Sequence, residues 1–282
     1  MKILVTGATG FVGRHVLTEL LKYEHEIIAT VRDISAGKSL KEKKITPVEF
    51  DLDKLDTTAN YFKKLGSPDM LIHLAWQGLP NYKQQFHLDI NLPAHRNFLE
   101  NIITNGLQKL VVTGTCFEYG MKEGCLSEEM ESDPQNVYAI AKDKLRKFLE
   151  GLQKQHPYIL NWIRLFYMYG KGQNANSLLS QLENALQNGD KVFNMSGGEQ
   201  QRDYLPIEKV AEYVVNIALQ NKIDGIINCC SGKPITVKAL VENYLNDKHK
   251  KIDLNLGYYP YPDYEPFAFW GDTKKLKNII NE

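Results

Sequence analysis

KILVTGATGFVGRHVLTELL, residues 2–21, decides the fold. An apolar run, Ile3 to Val5, passes through Thr6 into a turn in which Gly7, Gly10 and Gly13 stand three apart, and a helical pattern follows at once. Val12, Val16, Leu17, Leu20 and Leu21 recur at helical spacing and predict one buried face. A strand feeding a helix through glycines lets a pyrophosphate approach the backbone while the helix amino terminus attracts it, and the third glycine seats the helix close to the strand. A tight strand-to-helix connection alone would also use such glycines, but the position directly after the first strand favours dinucleotide binding. Thr9, Phe11 and Val12 fill the turn between the glycines and belong to the same candidate cradle.

The pattern repeats outward from this start. Short apolar runs alternate with amphipathic stretches through EIIATVR, PVEFDL, MLIHLAW, INLPAHRNFLENI, KLVVTG, the stretch 137–155 and YILNWIRLFYMYG. This order predicts an α/β chain of Rossmann type, a doubly wound parallel sheet with helices on both faces. Beyond Gly170 the rhythm loosens into turn-rich patches, with helices expected over 178–187, 208–220 and 236–246. The division expected is a dinucleotide-binding domain over 1–170 plus 203–230, and a smaller, discontinuous substrate lobe over 171–202 plus 231–282.

Composition narrows the function. The 282 residues carry 34 Lys+Arg against 34 Asp+Glu, so no net field draws the chain to nucleic acid or an anionic membrane. The four cysteines, at 116, 125, 229 and 230, show no paired metal spacing and read as reduced thiols; no metal is expected. MKILVTG is already strand and turn, which leaves no room for a leader, and no run reaches the length of a membrane span. The cytoplasm is the expected setting.

Which dinucleotide is bound should be read at the end of the second strand, where NAD sites usually carry an acidic residue for the ribose. Here ATVRD puts Val31 at that place and Arg32 next, and a guanidinium suits a 2′-phosphate. NADP is the expected cofactor; NAD remains open, with Asp33 taking the ribose instead. In NVYAIAKDKL, Tyr138 and Lys142 are four apart and share a helix face. A nearby ammonium favours the phenolate, which predicts a lowered pKa for Tyr138 and a role as general acid.

With these motifs together, the chain resembles the extended short-chain dehydrogenase/reductase family, the NAD-dependent epimerases/dehydratases, and in particular its nucleotide-sugar branch. GATGFVG, VVTGTCFEYG at 111–120 and YAIAK at 138–142 carry the likeness, which covers nearly the whole chain. The resemblance implies that Asp51 and Leu52 contact the adenine, that Leu74, Ala75 and Trp76 of the HLAW stretch border the cofactor, and that Asn91 is the central-helix asparagine. It makes Thr115 the catalytic hydroxyl beside Tyr138, with Lys142 on the nicotinamide ribose. It assigns Arg202 in GGEQQRDYLP to the sugar nucleotide's phosphates, where the bare sequence offers a surface ion pair with Asp203 as the alternative. Trp76, Cys116, Phe117 and Tyr167 would border the substrate, Tyr167 standing where the family commonly has asparagine. Glu118 and Tyr119 orient the loop or line the pocket, with ordinary loop packing as the plain alternative for both.

The two positions after the hydroxyl separate activities in this family. The 4,6-dehydratases carry Asp-Glu there, because elimination needs an acid and a base. Cys116 and Phe117 offer neither, and Cys116 is one place away from the cysteine of epimerising GDP-fucose synthase, so packing is its expected role. The expected activity is therefore reduction of the C4 keto group of a dTDP- or CDP-linked 4-keto-6-deoxyhexose, in deoxysugar biosynthesis for surface polysaccharide. A 4-epimerase with retained NAD is the alternative, and a non-catalytic dinucleotide-sensing module the alternative of another class. The apolar helix faces near 91–104 and 137–152 suit either a homodimer through a four-helix bundle, which the resemblance implies, or the chain's own sheet.

Overall fold

The structure is a computed structural model and describes residues 1–37, 40, 44–56 and 58–280. Seven parallel strands form the central sheet: β1 (Lys2–Thr6), β2 (Glu26–Val31), β3 (Ile45–Glu49), β4 (Met70–His73), β5 (Lys109–Thr115), β7 (Ile159–Leu165) and β11 (Gly225–Cys229). Their order, β11-β7-β5-β4-β1-β2-β3, reverses direction between β1 and β4. This is the Rossmann arrangement the sequence predicts, with its ligand crevice at the carboxyl ends of the strands flanking that switch point. Pro47 lies in β3, the outermost strand, where a missing N–H leaves no ladder bond unmade on the open side.

The helices are α1 (Phe11–Leu20), α2 (Tyr61–Lys64), α3 (Leu92–Thr104), α4 (Val137–Gln153), α5 (Leu178–Asn188), α6 (Ile207–Leu219), α7 (Val237–Asp247) and α8 (Lys274–Ile280). Strand periodicity sorts them into two layers. Ile3, Val5 and Val111 point into a core built with α1, α6 and α8, whereas Leu4, Leu110 and Val112 point into a core built with α2, α3 and α4. On α1 the buried residues are Gly13, Val16, Leu17 and Leu20. Leu21, expected on that face, is exposed because the helix has ended and the residue caps it. On α3 and α4, Phe98, Leu99, Ile102, Leu145 and Leu149 pack under the sheet. These residues of α3 and α4 cover the chain's own sheet.

YILNWIRLFYMYG splits into two elements. β7 ends at Leu165, and β8 (Tyr167–Tyr169) joins a three-stranded sheet in the order β12-β10-β8 with β10 (Gln201–Pro206) and β12 (Pro234–Thr236). Two parallel pairs complete the molecule: β9 (Val192–Asn194) with β13 (Asp253–Asn255), and β6 (Gly124–Leu126) with β14 (Phe269–Gly271). Among the described residues, no helix is long and apolar enough to cross a membrane.

Candidate active site

The glycine turn is shaped by contacts that no larger residue survives. Gly7 has φ +69°, and a Cβ there would lie 2.6 Å from the Ala75 amide nitrogen. A Cβ on Gly13 would lie 2.1 Å from the Gly7 carbonyl oxygen, so the first turn of α1 rests directly on the end of β1. Gly10 precedes α1 with no side chain to cap it, and the first helical turn carries no acidic residue. Its N–H groups are left for an anion, which fits a dinucleotide pyrophosphate.

From this turn a cavity of about 1080 Å³ runs along the carboxyl ends of the strands. Gly7, Gly10, Phe11, Val12, Gly13, Leu74, Trp76, Thr115, Cys116, Phe117, Tyr138 and Tyr167 all border it. Thr9 and Arg32 are exposed outside this lining, Arg32 one residue beyond β2. Asp33 accepts hydrogen bonds from the Ser35 amide (2.8 Å) and hydroxyl (2.6 Å), which hold its carboxyl below its usual range. Asp51 caps the short turn Leu52–Lys54 by accepting from the Asp53 amide, and Leu52 packs half-buried on the core. Asn91 donates to the Gln77 carbonyl (3.1 Å) and to His87 Nδ1 (3.2 Å), tying the loop after β4 to α3.

Thr115 ends β5 and opens a one-turn helix, Cys116–Tyr119. Its hydroxyl accepts from the Phe117 amide while Glu118 accepts from the Thr115 amide (2.9 Å), a reciprocal cap that fixes the turn. Glu118 is completely buried and accepts as well from Trp162 Nε1 (3.0 Å) and Arg164 Nε (2.9 Å). Of the roles the sequence left open for Glu118, the buried carboxylate fills that of holding the loop in place. Tyr119 is equally buried and donates to Asn228 Oδ1 (2.8 Å). Burial pushes the Cys116 thiol up, so it stays protonated beside Thr115.

Tyr138 and Lys142 rise from α4 behind this turn. The Tyr138 phenol is buried, and its pKa is raised by desolvation, then by Tyr82, Glu118 and Cys116, with a hydrogen bond to the Thr115 side chain pulling the other way. This corrects the expectation of a lowered phenol pKa. Lys142 turns instead to the Thr113 carbonyl (2.8 Å) and sits 4.1 Å from the centroid of the Trp76 ring. Burial lowers Lys142 to about 7, opposed by Glu118. Desolvation thus sets the direction at Tyr138, and the phenol is held neutral.

Several neighbours carried no local signal in the sequence. Tyr82 lies 5.7 Å from Tyr138 and 5.2 Å from Phe117, ring centre to ring centre, and Tyr264 joins the same aromatic group. A buried chain runs from Thr6 Oγ1 to His73 Nδ1 (2.8 Å) and from His73 Nε2 to His95 Nδ1 (2.6 Å). Burial drives His73 down to about 3 and His95 well below its normal value, so both are neutral.

Arg202 stands apart from the glycine turn, in an adjoining cavity that shares Tyr167 with the first. It is buried, and it pairs with Glu265 (2.8 Å), not with Asp203. Asp203 accepts from the amides of Ser231 (2.7 Å) and Gly232 (2.8 Å), closing the turn after β11. The Tyr167 hydroxyl also donates to Glu265. Sequence spacing could not reveal Glu265, which lies 63 residues beyond its partner.

Residues 3–230 match the NAD dependent epimerase/dehydratase family. The chain is 30% identical over 278 residues to the dTDP-6-deoxy-L-talose 4-dehydrogenase (NAD(+)) of Aggregatibacter actinomycetemcomitans, covering 96% of this chain and 99% of that one. It is 26% identical to the GDP-6-deoxy-D-talose 4-dehydrogenase of the same organism, over 99% of this chain and 91% of the relative. Among solved structures it is similar to the UDP-glucuronic acid 4-epimerase of Bacillus cereus in complex with UDP-glucuronic acid and NAD, at a TM-score of 0.86 and 23% identity, over 100% and 93% of the two chains; that likeness speaks to fold alone.

Proposed function

The chain belongs to the NAD dependent epimerase/dehydratase family, the extended short-chain dehydrogenases/reductases, and from that premise we propose that it reduces the C4 keto group of a dTDP- or CDP-linked 4-keto-6-deoxyhexose. The observation that carries this reading is one cavity lined by the glycine turn, by Thr115 and by the Tyr138 phenol, which burial keeps neutral. Bound NAD(P)H supplies the hydride to C4. Thr115 orients the carbonyl, and Tyr138 gives its proton to the oxygen as negative charge develops there. A phenol kept protonated by burial is in the state that a reductase requires of its acid.

The residues after Thr115 support reduction over elimination. Cys116 is a buried, protonated thiol, and Phe117 packs edge-on to Tyr82 at 5.2 Å, so neither supplies a base. The relatives to which the chain is similar are named 4-dehydrogenases of dTDP- and GDP-linked 6-deoxytaloses, which supports redox chemistry at C4 of a nucleotide-linked 6-deoxyhexose. Lys142 holds the nicotinamide ribose, and Arg202, once Glu265 releases it, meets the diphosphate. Arg32 is exposed past β2 while Asp33 is engaged by Ser35, and this favours a 2′-phosphate and hence NADPH.

The test is stoichiometry. With a dTDP-4-keto-6-deoxyhexose, each product molecule should consume one NADPH or NADH, read at its absorbance. Turnover of a 4-hydroxy sugar nucleotide with no added reductant, by protein that carries bound NAD, would make the enzyme a 4-epimerase instead.

A further inference from the structure

We infer that Trp76 is a positioning residue whose indole face seats the Lys142 ammonium and keeps it charged inside a dry site. The inference rests on the reading of Tyr138 and Lys142 given above, and it adds a role for a tryptophan that otherwise reads as cavity wall. Lys142 is buried, and among the described residues it makes no ion pair. Its carboxylate neighbour, Glu118, is already taken by Thr115, Trp162 and Arg164. One carbonyl, that of Thr113, accepts from it at 2.8 Å. Beside that carbonyl and the field of Glu118, the Trp76 ring stands 4.1 Å away, and a desolvated cation over an indole gains more than an exposed one.

The indole is locked in that place. Its Nε1 donates to His87 Nδ1 (3.1 Å), which also accepts from Asn91, while His87 Nε2 faces the Asn81 carbonyl at 3.1 Å. Two donors at Nδ1 and a carbonyl at Nε2 require a neutral His87 with its proton on Nε2. The Trp76 ring also stacks on His95 at 4.5 Å and 26°. The groups that face Lys142 are therefore Glu118 from the turn after β5, His73 on β4, His95 on α3, His87 before α3, and Tyr138 on its own helix. Burial keeps all three imidazoles from charging, so they place no competing cation against the ring.

Two readouts test this. The first needs no turnover: tryptophan emission of the cofactor-free protein is titrated between about pH 5.5 and 9.5, because an ammonium over an indole alters its emission. The wild type should show a transition near neutrality that is missing both in Lys142→Met and in Trp76→Leu, which retains Trp162 and Trp270, with the far-ultraviolet spectrum of each variant checking the fold. The second is the pH profile of kcat. Loss of the indole in Trp76→Leu should move the alkaline limb to lower pH by about half to one and a half units, with Trp76→Phe restoring part of the shift. An emission titration that survives in Lys142→Met, or a Trp76→Leu enzyme with raised KM and an unmoved alkaline limb, overturns the inference. Should Tyr138→Phe and Lys142→Met both leave turnover intact, the catalytic reading fails, while the emission titration still decides whether Trp76 holds the lysine.

Discussion

Glu118 offers the sharpest energetic test, because three elements meet on one buried carboxylate. It takes the Thr115 amide, the Trp162 indole and the Arg164 guanidinium at 2.9–3.1 Å, and both it and Arg164 are fully buried. Glu118→Ala leaves the Arg164 charge with the Tyr119 ring, 4.2 Å away, as its remaining electrostatic partner. Stranding a buried charge in this way costs about 3–5 kcal/mol. At about 2 °C per kcal/mol for a chain of this size, Tm should fall by about 6–10 °C. Glu118→Gln keeps the shape and an acceptor oxygen and should cost about 1–3 kcal/mol. The assay is thermal and denaturant unfolding of the two variants beside Arg164→Met and Glu118→Ala/Arg164→Met, the double variant being the one in which removal of the orphaned charge should recover at least about 1 kcal/mol of the loss. A Glu118→Ala protein within about 1 kcal/mol of wild type, or a double variant as unstable as the sum of its parts, refutes the reasoning.

Two further outcomes follow from the cofactor end. Arg32→Ala should weaken NADPH binding about tenfold or more and leave NADH binding unchanged, measured by titration of each cofactor; equal losses for both would assign Arg32 to something other than a 2′-phosphate. Gly13→Ala drives a methyl to 2.1 Å from the Gly7 carbonyl, so the turn must open. That should cost about 1–3 kcal/mol of stability and abolish detectable dinucleotide binding, which calorimetry reads directly.

What could be read from the sequence was whatever depends on neighbours along the chain. The glycine turn, the strand order's βα rhythm and the four-residue interval between Tyr138 and Lys142 are local patterns, and all three appear in the structure as spacing predicts. Leu21 failed because a helix end is set by one or two residues, and periodicity does not see it. The phenol pKa failed for a different reason: the sign of the shift depends on how deeply Tyr138 is buried and where Lys142 turns, and both are tertiary facts. Glu265 on Arg202, Tyr82 and Tyr264 beside Phe117, and the His73–His95 pair come from distant stretches that only the folded chain brings together.

The account stands on proton donation by Tyr138, and Tyr138→Phe examines it most directly. The variant removes one hydroxyl from a buried ring and leaves the glycine turn, Trp76 and Lys142 in place. With NADPH and a dTDP-4-keto-6-deoxyhexose, kcat should fall by about 10²-fold or more while cofactor affinity stays within a few-fold of wild type. Reduction of the keto sugar at a rate close to wild type would contradict it.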